Sequence, residues 1–84
     1  MYFVYMARCS DHSLYTGYTS DLKQREMKHN QGKGAAYTRM RRPVKFVYSE
    51  TFDTRSGAMK REYAIKKMRK RDKEKLVVEA GGLG

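Results

Sequence analysis

No stretch of this chain stays apolar for longer than one β-strand. The longest run, Tyr2-Phe3-Val4-Tyr5-Met6-Ala7, is aromatic and β-branched and has strand length. A membrane-spanning helix needs about 20 apolar residues, so none is predicted, and the N-terminus lacks the basic and apolar segments of a signal peptide. With 84 residues, only about 60–65% of the unfolded surface can be buried, and the core must be thin. Trp is absent, so the seven Tyr and three Phe are expected to carry much of the packing. Cys9, the single cysteine, excludes an internal disulfide framework, and Cys9 with His12 and His29 lacks zinc-site spacing. A cytoplasmic location is the expectation.

Lys and Arg number 19 against nine acids, a net charge of +10. On a globule with a radius of gyration of about 12 Å, that charge repels itself and favours a polyanionic partner. Nucleic acid ranks first and an anionic membrane surface second. The basic residues of the third helix fall on several sides rather than opposite a wide apolar face, which argues against the membrane.

The chain shows no internal repeat and no linker, so one domain over residues 1–80 is expected, with Gly81–Gly84 as a flexible tail. Ser10-Asp11-His12-Ser13 supplies turn chemistry, and Leu14 to Thr19 reads as a second strand, giving a hairpin with the first. Ser20 and Asp21 open a helix from Leu22 to about Gln31, ended by Gly32. A short helical turn is expected near Ala36–Met40, stopped by Pro43. Val44 to Glu50 is the third strand. Asp53 or Thr54 caps a long helix to about Arg69, and Asp72 a last one through Val78. The order ββα(α)βαα predicts a small layered α/β (α+β) fold, three strands flanked by helices. The third strand can pair with either of the others.

Tyr5 and Tyr15 fall near the centres of neighbouring strands and can face together. Packing is the ordinary role of such a pair and catalysis the alternative. Gly17 leaves a slot on the face of Tyr15 that can admit a ligand or another backbone, or marks a bulge. Leu22, Arg25, Glu26 and His29 lie at i, i+3, i+4 and i+7. Leu22 must anchor that face to the sheet, so Arg25 and His29 are carried inward, where the guanidinium needs an anion. Glu62 stands between Ala58 and Ile65 on an otherwise apolar stripe, where a carboxylate must be neutral, paired with Arg25 or Arg61, or metal-bound. One carboxylate with several waters suits Mg²⁺.

In this order, Val4-Tyr5, Leu14-Tyr15-Thr16-Gly17, Arg25, His29 and Glu62 resemble the GIY-YIG nuclease superfamily, most closely its small stand-alone bacterial members. The spacing from Tyr5 to Tyr15, then to Arg25 and to His29, matches that pattern, and the resemblance runs over about residues 2 to 79. It implies a three-stranded antiparallel sheet flanked by helices, residues 1–80 forming the nuclease-like domain. It also implies hydrolysis of DNA phosphodiester bonds with one divalent ion, Mg²⁺ or Mn²⁺, possible structure selectivity, and a link to repair or recombination. Glu62 would be the sole protein ligand of the ion. Tyr5 and Tyr15 would hold and deprotonate the attacking water, with the choice of base left open. Arg25 would clamp the scissile phosphate, His29 would bond the phosphate or a tyrosine, and Gly17 would let the backbone approach. A phenol titrates near pH 10 unless nearby positive charge lowers it, and the ion and Arg25 would supply that charge.

The chain departs from the family at Phe3-Val4-Tyr5 and Thr16, and it has no Asn after Asn30 where many members carry a late one. The alternative reading is therefore a DNA- or RNA-binding module with the nuclease fold and no turnover. In either case Lys33, Arg39, Arg41 and Arg42, with Lys66, Lys67 and Arg69, are the expected phosphate contacts, with Tyr18 and Tyr37 interspersed. Gly32-Lys33-Gly34 has no strand before it and reads as a hinge or turn rather than a phosphate loop. No segment looks like a groove-reading helix, so weak sequence specificity is expected.

Overall fold

The computed structural model describes residues 1–81. Its elements are β1 (Tyr2–Arg8), β2 (Leu14–Thr19), α1 (Leu22–Asn30), α2 (Ala36–Arg39), β3 (Lys45–Phe52), α3 (Arg55–Lys66) and α4 (Lys70–Glu79). The three strands form one antiparallel sheet in the order β2-β1-β3, which resolves the pairing that propensity left open: β3 joins β1. The expected ββα(α)βαα order and layered fold hold.

Local chemistry sets the helix ends. The Asp21 carboxylate accepts from the Gln24 amide at 3.0 Å, and Gly32 leaves α1 with φ +80. Thr54, rather than Asp53, caps α3 by accepting from the Gly57 amide at 3.0 Å. Two boundaries are corrected. The long helix ends at Lys66 instead of running to Arg69, and α4 starts at Lys70, with Arg69 extended at ψ 155. Asp72 does not cap α4; it lies in the first turn, where its charge complements the helix dipole. The expected tail falls outside the described residues except for Gly81, whose φ is +82.

The residues of β1 alternate between two apolar clusters. Val4 and Met6 pack with Val47, Tyr48, Ala58, Ile65 and Val77, so this cluster gathers α3 and α4. Tyr5, Ala7, Cys9 and Val44 form the other, with Tyr15, Leu22 and Phe46 against it. Between them β3 carries an irregularity: Met6 pairs with Tyr48 but Ala7 with Phe46, so Val47 is the extra residue. That bulge lets Val47 and Tyr48 both enter the first cluster and turns Phe46 toward Tyr5.

Charged side chains hold the connections in place. Arg8 donates to both Glu74 oxygens, at 2.5 and 2.7 Å, and Lys70 donates to the His12 carbonyl at 2.9 Å, tying the hairpin turn to α4. Asn30 accepts from the Val44 amide at 2.7 Å and donates to its carbonyl at 3.0 Å, fixing the entry to β3. Among the described residues no helix is long and apolar enough to cross a membrane.

Candidate active site

Tyr5 lies opposite Gly17 in the β1–β2 register. A Cβ on residue 17 would stand 2.5 Å from the Tyr5 hydroxyl and 2.7 Å from its Cζ. The space a side chain at residue 17 would need is therefore taken by the Tyr5 phenol, and the Gly17 backbone lines the same cleft as Tyr5. The opposite side of the ring stacks on Phe46, 4.1 Å between centroids. Its hydroxyl lies 2.8 Å from His29 Nε2.

His29 is delivered by the inward face of α1 that Leu22 anchors, and it is 1% exposed. Its Nδ1 is 2.7 Å from the Thr38 hydroxyl, which donates to the Ala35 carbonyl at 3.0 Å. A hydroxyl has one proton, so with that proton on Ala35 the Thr38 oxygen accepts from Nδ1–H. Nε2 is then the acceptor for the Tyr5 O–H. The loop between α1 and α2 can close over the imidazole because residue 34 has no side chain: a Cβ there would be 2.2 Å from Nδ1. Gly32-Lys33-Gly34 is thus a turn packed on His29, as the sequence suggests.

The protonation states follow from burial. Desolvation, assisted by Arg25, pulls His29 below its ordinary value, so the ring is neutral at pH 7. Burial pushes the Tyr5 phenol well above its ordinary value, and Tyr15 adds to the rise. Arg25 opposes it without prevailing. Arg25 alone therefore does not bring the Tyr5 phenol below its ordinary value.

Tyr15 is only half-buried. Its ring lies 6.5 Å from that of Tyr5 and 5.5 Å from the imidazole, with Lys66 Nζ 5.8 Å from its centroid. The Glu62 carboxylate comes from α3 and pairs with Lys66 at 3.5 Å; Arg61 is taken by Glu50 at 3.0 Å. The partner is therefore neither Arg25 nor Arg61. A helical i, i+4 neighbour competes well because it needs no long-range approach.

One cleft of about 480 Å³ is lined by Tyr5, Tyr15, Arg25, His29 and Glu62 together. Among the described residues Glu62 is the only acid in its lining, and no three His, Cys, Asp or Glu side chains cluster as a metal site. A single carboxylate, 19% exposed and loosely paired, is a fitting donor for a hard ion that keeps waters and takes phosphate oxygens. Mg²⁺ and Mn²⁺ meet that description.

The other expected contact residues lie outside this lining. Arg41 bonds Asp11 at 3.1 Å and the Tyr37 carbonyl at 2.8 Å, its guanidinium 3.8 Å above the Tyr37 ring. Arg42 donates to the Arg39 carbonyl at 3.0 Å and packs over Gly32. These two arginines are latches of the loop before β3. Lys33, Arg39 and Arg69 are exposed, and Lys67 Nζ sits 4.3 Å from the Tyr63 ring centroid.

Three contributors escaped the sequence reading. Thr38 fixes the His29 tautomer from across a loop, and no local pattern announces it. Gly34 could be suspected only as a second glycine close after Gly32. Arg55 lines the cleft and donates to the Tyr18 hydroxyl at 3.2 Å, although it reads locally as the ordinary first residue of a helix.

Residues 1–75 match the family model described as the GIY-YIG catalytic domain. A UPF0213 protein of Staphylococcus saprophyticus is 53% identical over 78 residues, covering 93% of this chain and 95% of its own. One from Staphylococcus epidermidis is 54% identical with the same coverage. Among solved structures, the solution NMR structure of a UPF0213 protein from Bacillus halodurans is 46% identical at a TM-score of 0.59, over 93% of this chain and 84% of that one. A protein from E. faecalis, also solved by NMR, is 39% identical at a TM-score of 0.62, over 95% and 85%. The chain belongs to the GIY-YIG domain family, alongside the small UPF0213 proteins.

Proposed function

We propose that the protein is a metal-dependent endonuclease that hydrolyses DNA phosphodiester bonds in this cleft. The observation that carries the reading is the meeting of a phenol pair, a neutral imidazole, a guanidinium and one carboxylate in one hollow of a strongly basic chain. A Mg²⁺ or Mn²⁺ ion held by Glu62 would supply positive charge at the phosphate oxygens. The remaining roles belong to the chain's own residues.

Hydrolysis forms a P–O bond to water, breaks the P–O bond to the leaving sugar oxygen, and requires the water to lose a proton. Arg25 offers a planar donor fork to the charge that grows on the phosphate. Tyr15, the more open phenol, orients the water. Tyr5 passes its proton to His29 Nε2 as it takes one from the water. The imidazolium so formed is disfavoured by burial and Arg25 and releases its proton back through Tyr5, while the leaving sugar oxygen takes one from solvent. Thr38 keeps Nε2 available by holding the proton on Nδ1. Lys33, Arg39, Lys66, Lys67 and Arg69 extend the positive surface along the DNA, while Arg41 and Arg42 shape the loop that frames the site.

The test is cleavage of branched, nicked and plain DNA with Mg²⁺ or Mn²⁺, by wild type, Glu62→Gln and Tyr15→Phe purified identically. Metal-dependent product from wild type alone supports the assignment. Equal cutting by all three marks contamination and removes it. Salt-sensitive binding unaffected by Glu62→Gln, with no product under any condition, would favour the non-catalytic DNA- or RNA-binding module.

A further inference from the structure

We infer that the outer stripe of α3 is a track for the nucleic-acid strand where it leaves the cleft, gripped by Arg55, Tyr63 and Lys67. The inference rests on the nucleic-acid reading above. Arg55, Met59, Tyr63 and the C-cap residue Lys67 stand at i, i+4, i+8 and i+12, a ridge that winds about 40° around the helix at each step. At 1.5 Å per residue that ridge is roughly 18 Å long, about five nucleotide steps of 3.4 Å.

Met59 and Tyr63 are 45% and 63% exposed, in a shallow, largely apolar groove that also contains Ser56 and Lys60. Arg55 lines both this groove and the cleft, so the two surfaces meet at one guanidinium. That guanidinium donates to a tyrosine hydroxyl and has no acidic partner among the described residues. At the far end the Lys67 ammonium lies over the Tyr63 ring. No acid among the described residues lines the groove.

Cations spaced along an exposed aromatic and thioether surface match a strand that alternates phosphates with flat apolar faces. Arg55 and Lys67 take phosphates, and Tyr63 takes a sugar or base face. A second copy of the chain fits less well: a two-fold contact would set Arg55, Lys60 and Lys67 against the same charges of another +10 molecule.

The test measures binding of a fluorescein-labelled oligonucleotide, alone and annealed to its complement, by anisotropy across a salt series in EDTA. Binding there is read without turnover, and cleavage is scored separately. Arg55→Gln and Lys67→Gln are each expected to reduce the steepness of log K against log salt by about 0.7–0.9, the value of one phosphate contact. Tyr63→Ala is expected to weaken binding roughly 5- to 150-fold, the value of one stacked face. Lys75→Gln, an exposed cation of α4, should leave the slope unchanged. Unaltered circular dichroism separates these effects from misfolding.

Variants that bind like wild type would overturn the track while leaving cleavage in the main cleft intact. Wild type that binds neither probe would overturn the track and the nucleic-acid reading together. Tyr63→Ala that changes only self-association in sedimentation would assign the stripe to a second copy instead.

Discussion

Replacing Gly17 by Ala probes the closest packing in the site. The new methyl would lie 2.5 Å from the Tyr5 hydroxyl and 2.7 Å from Cζ, against ordinary contacts of 3.4–4 Å. The ring cannot retreat freely, because Phe46 stacks on it at 4.1 Å and His29 holds its hydroxyl at 2.8 Å. Overpacking of this kind costs about 1–3 kcal/mol, and the strained hydrogen bond about 1 more. Ala returns about 0.4–1 kcal/mol by restricting the unfolded chain. The net is a destabilisation of roughly 1–3.5 kcal/mol, read as a lowered urea midpoint at constant slope. For a domain of this size, each kcal/mol lowers the melting temperature by roughly 4–8 °C. The decisive comparison repeats the substitution in Tyr5→Phe, where no hydroxyl meets the methyl and no hydrogen bond resists a tilt of the ring. The cost there should fall by at least about 0.5 kcal/mol. A Gly17→Ala protein within about 0.5 kcal/mol of wild type, or an equal cost in both backgrounds, would refute this account of Tyr5.

Thr38→Val should destabilise by about 1–3 kcal/mol in thermal melts, because it leaves the buried Nδ1–H without an acceptor. It should also lower cleavage more than Thr38→Ser, which restores the hydroxyl. The folded-state pKa of His29 lies below its unfolded value, so the unfolded chain binds the proton first. The stability contributed by the neutral ring is therefore full above about pH 6.5 and drains away as pH falls through the lower folded value. His29→Gln should flatten that part of a denaturation-versus-pH curve. Binding to duplex DNA should show log K falling against log salt with a slope of about −5 to −7. Because Arg41 is internally engaged, Arg41→Gln should show up mainly as lost stability, with the slope scarcely changed.

Much of this arrangement was legible in the chain because its causes are local. The hairpin follows from Ser10–Ser13 turn chemistry, and the inward carriage of Arg25 and His29 follows from helical spacing around Leu22. The placement of Glu62 among Ala58 and Ile65 followed in the same way. What stayed hidden depends on contacts between distant segments. The break at Lys66–Lys70 falls inside Lys66-Lys67-Met68-Arg69-Lys70, which has neither Gly nor Pro, and the ties of Arg8 to Glu74 and of Lys70 to the hairpin turn are seen only in the folded chain. The bulge at Val47 is a two-strand property, so one strand's pattern shows it only as imperfect alternation. The cluster of Arg39, Arg41 and Arg42 looked like a phosphate surface because the sequence does not reveal that Asp11 and Tyr37 come back to claim Arg41. Thr38 and Gly34 met His29 through a loop whose return path is set by packing.

Paramagnetic Mn²⁺ added to isotope-labelled protein reads most directly whether these side chains form one metal-dependent site. The account predicts line broadening that starts at Glu62, Tyr15, Tyr5 and Arg25 and disappears in Glu62→Gln with the fold preserved. Broadening centred on Glu50, Asp53 or Glu74, or a pattern indifferent to Glu62→Gln, would contradict it.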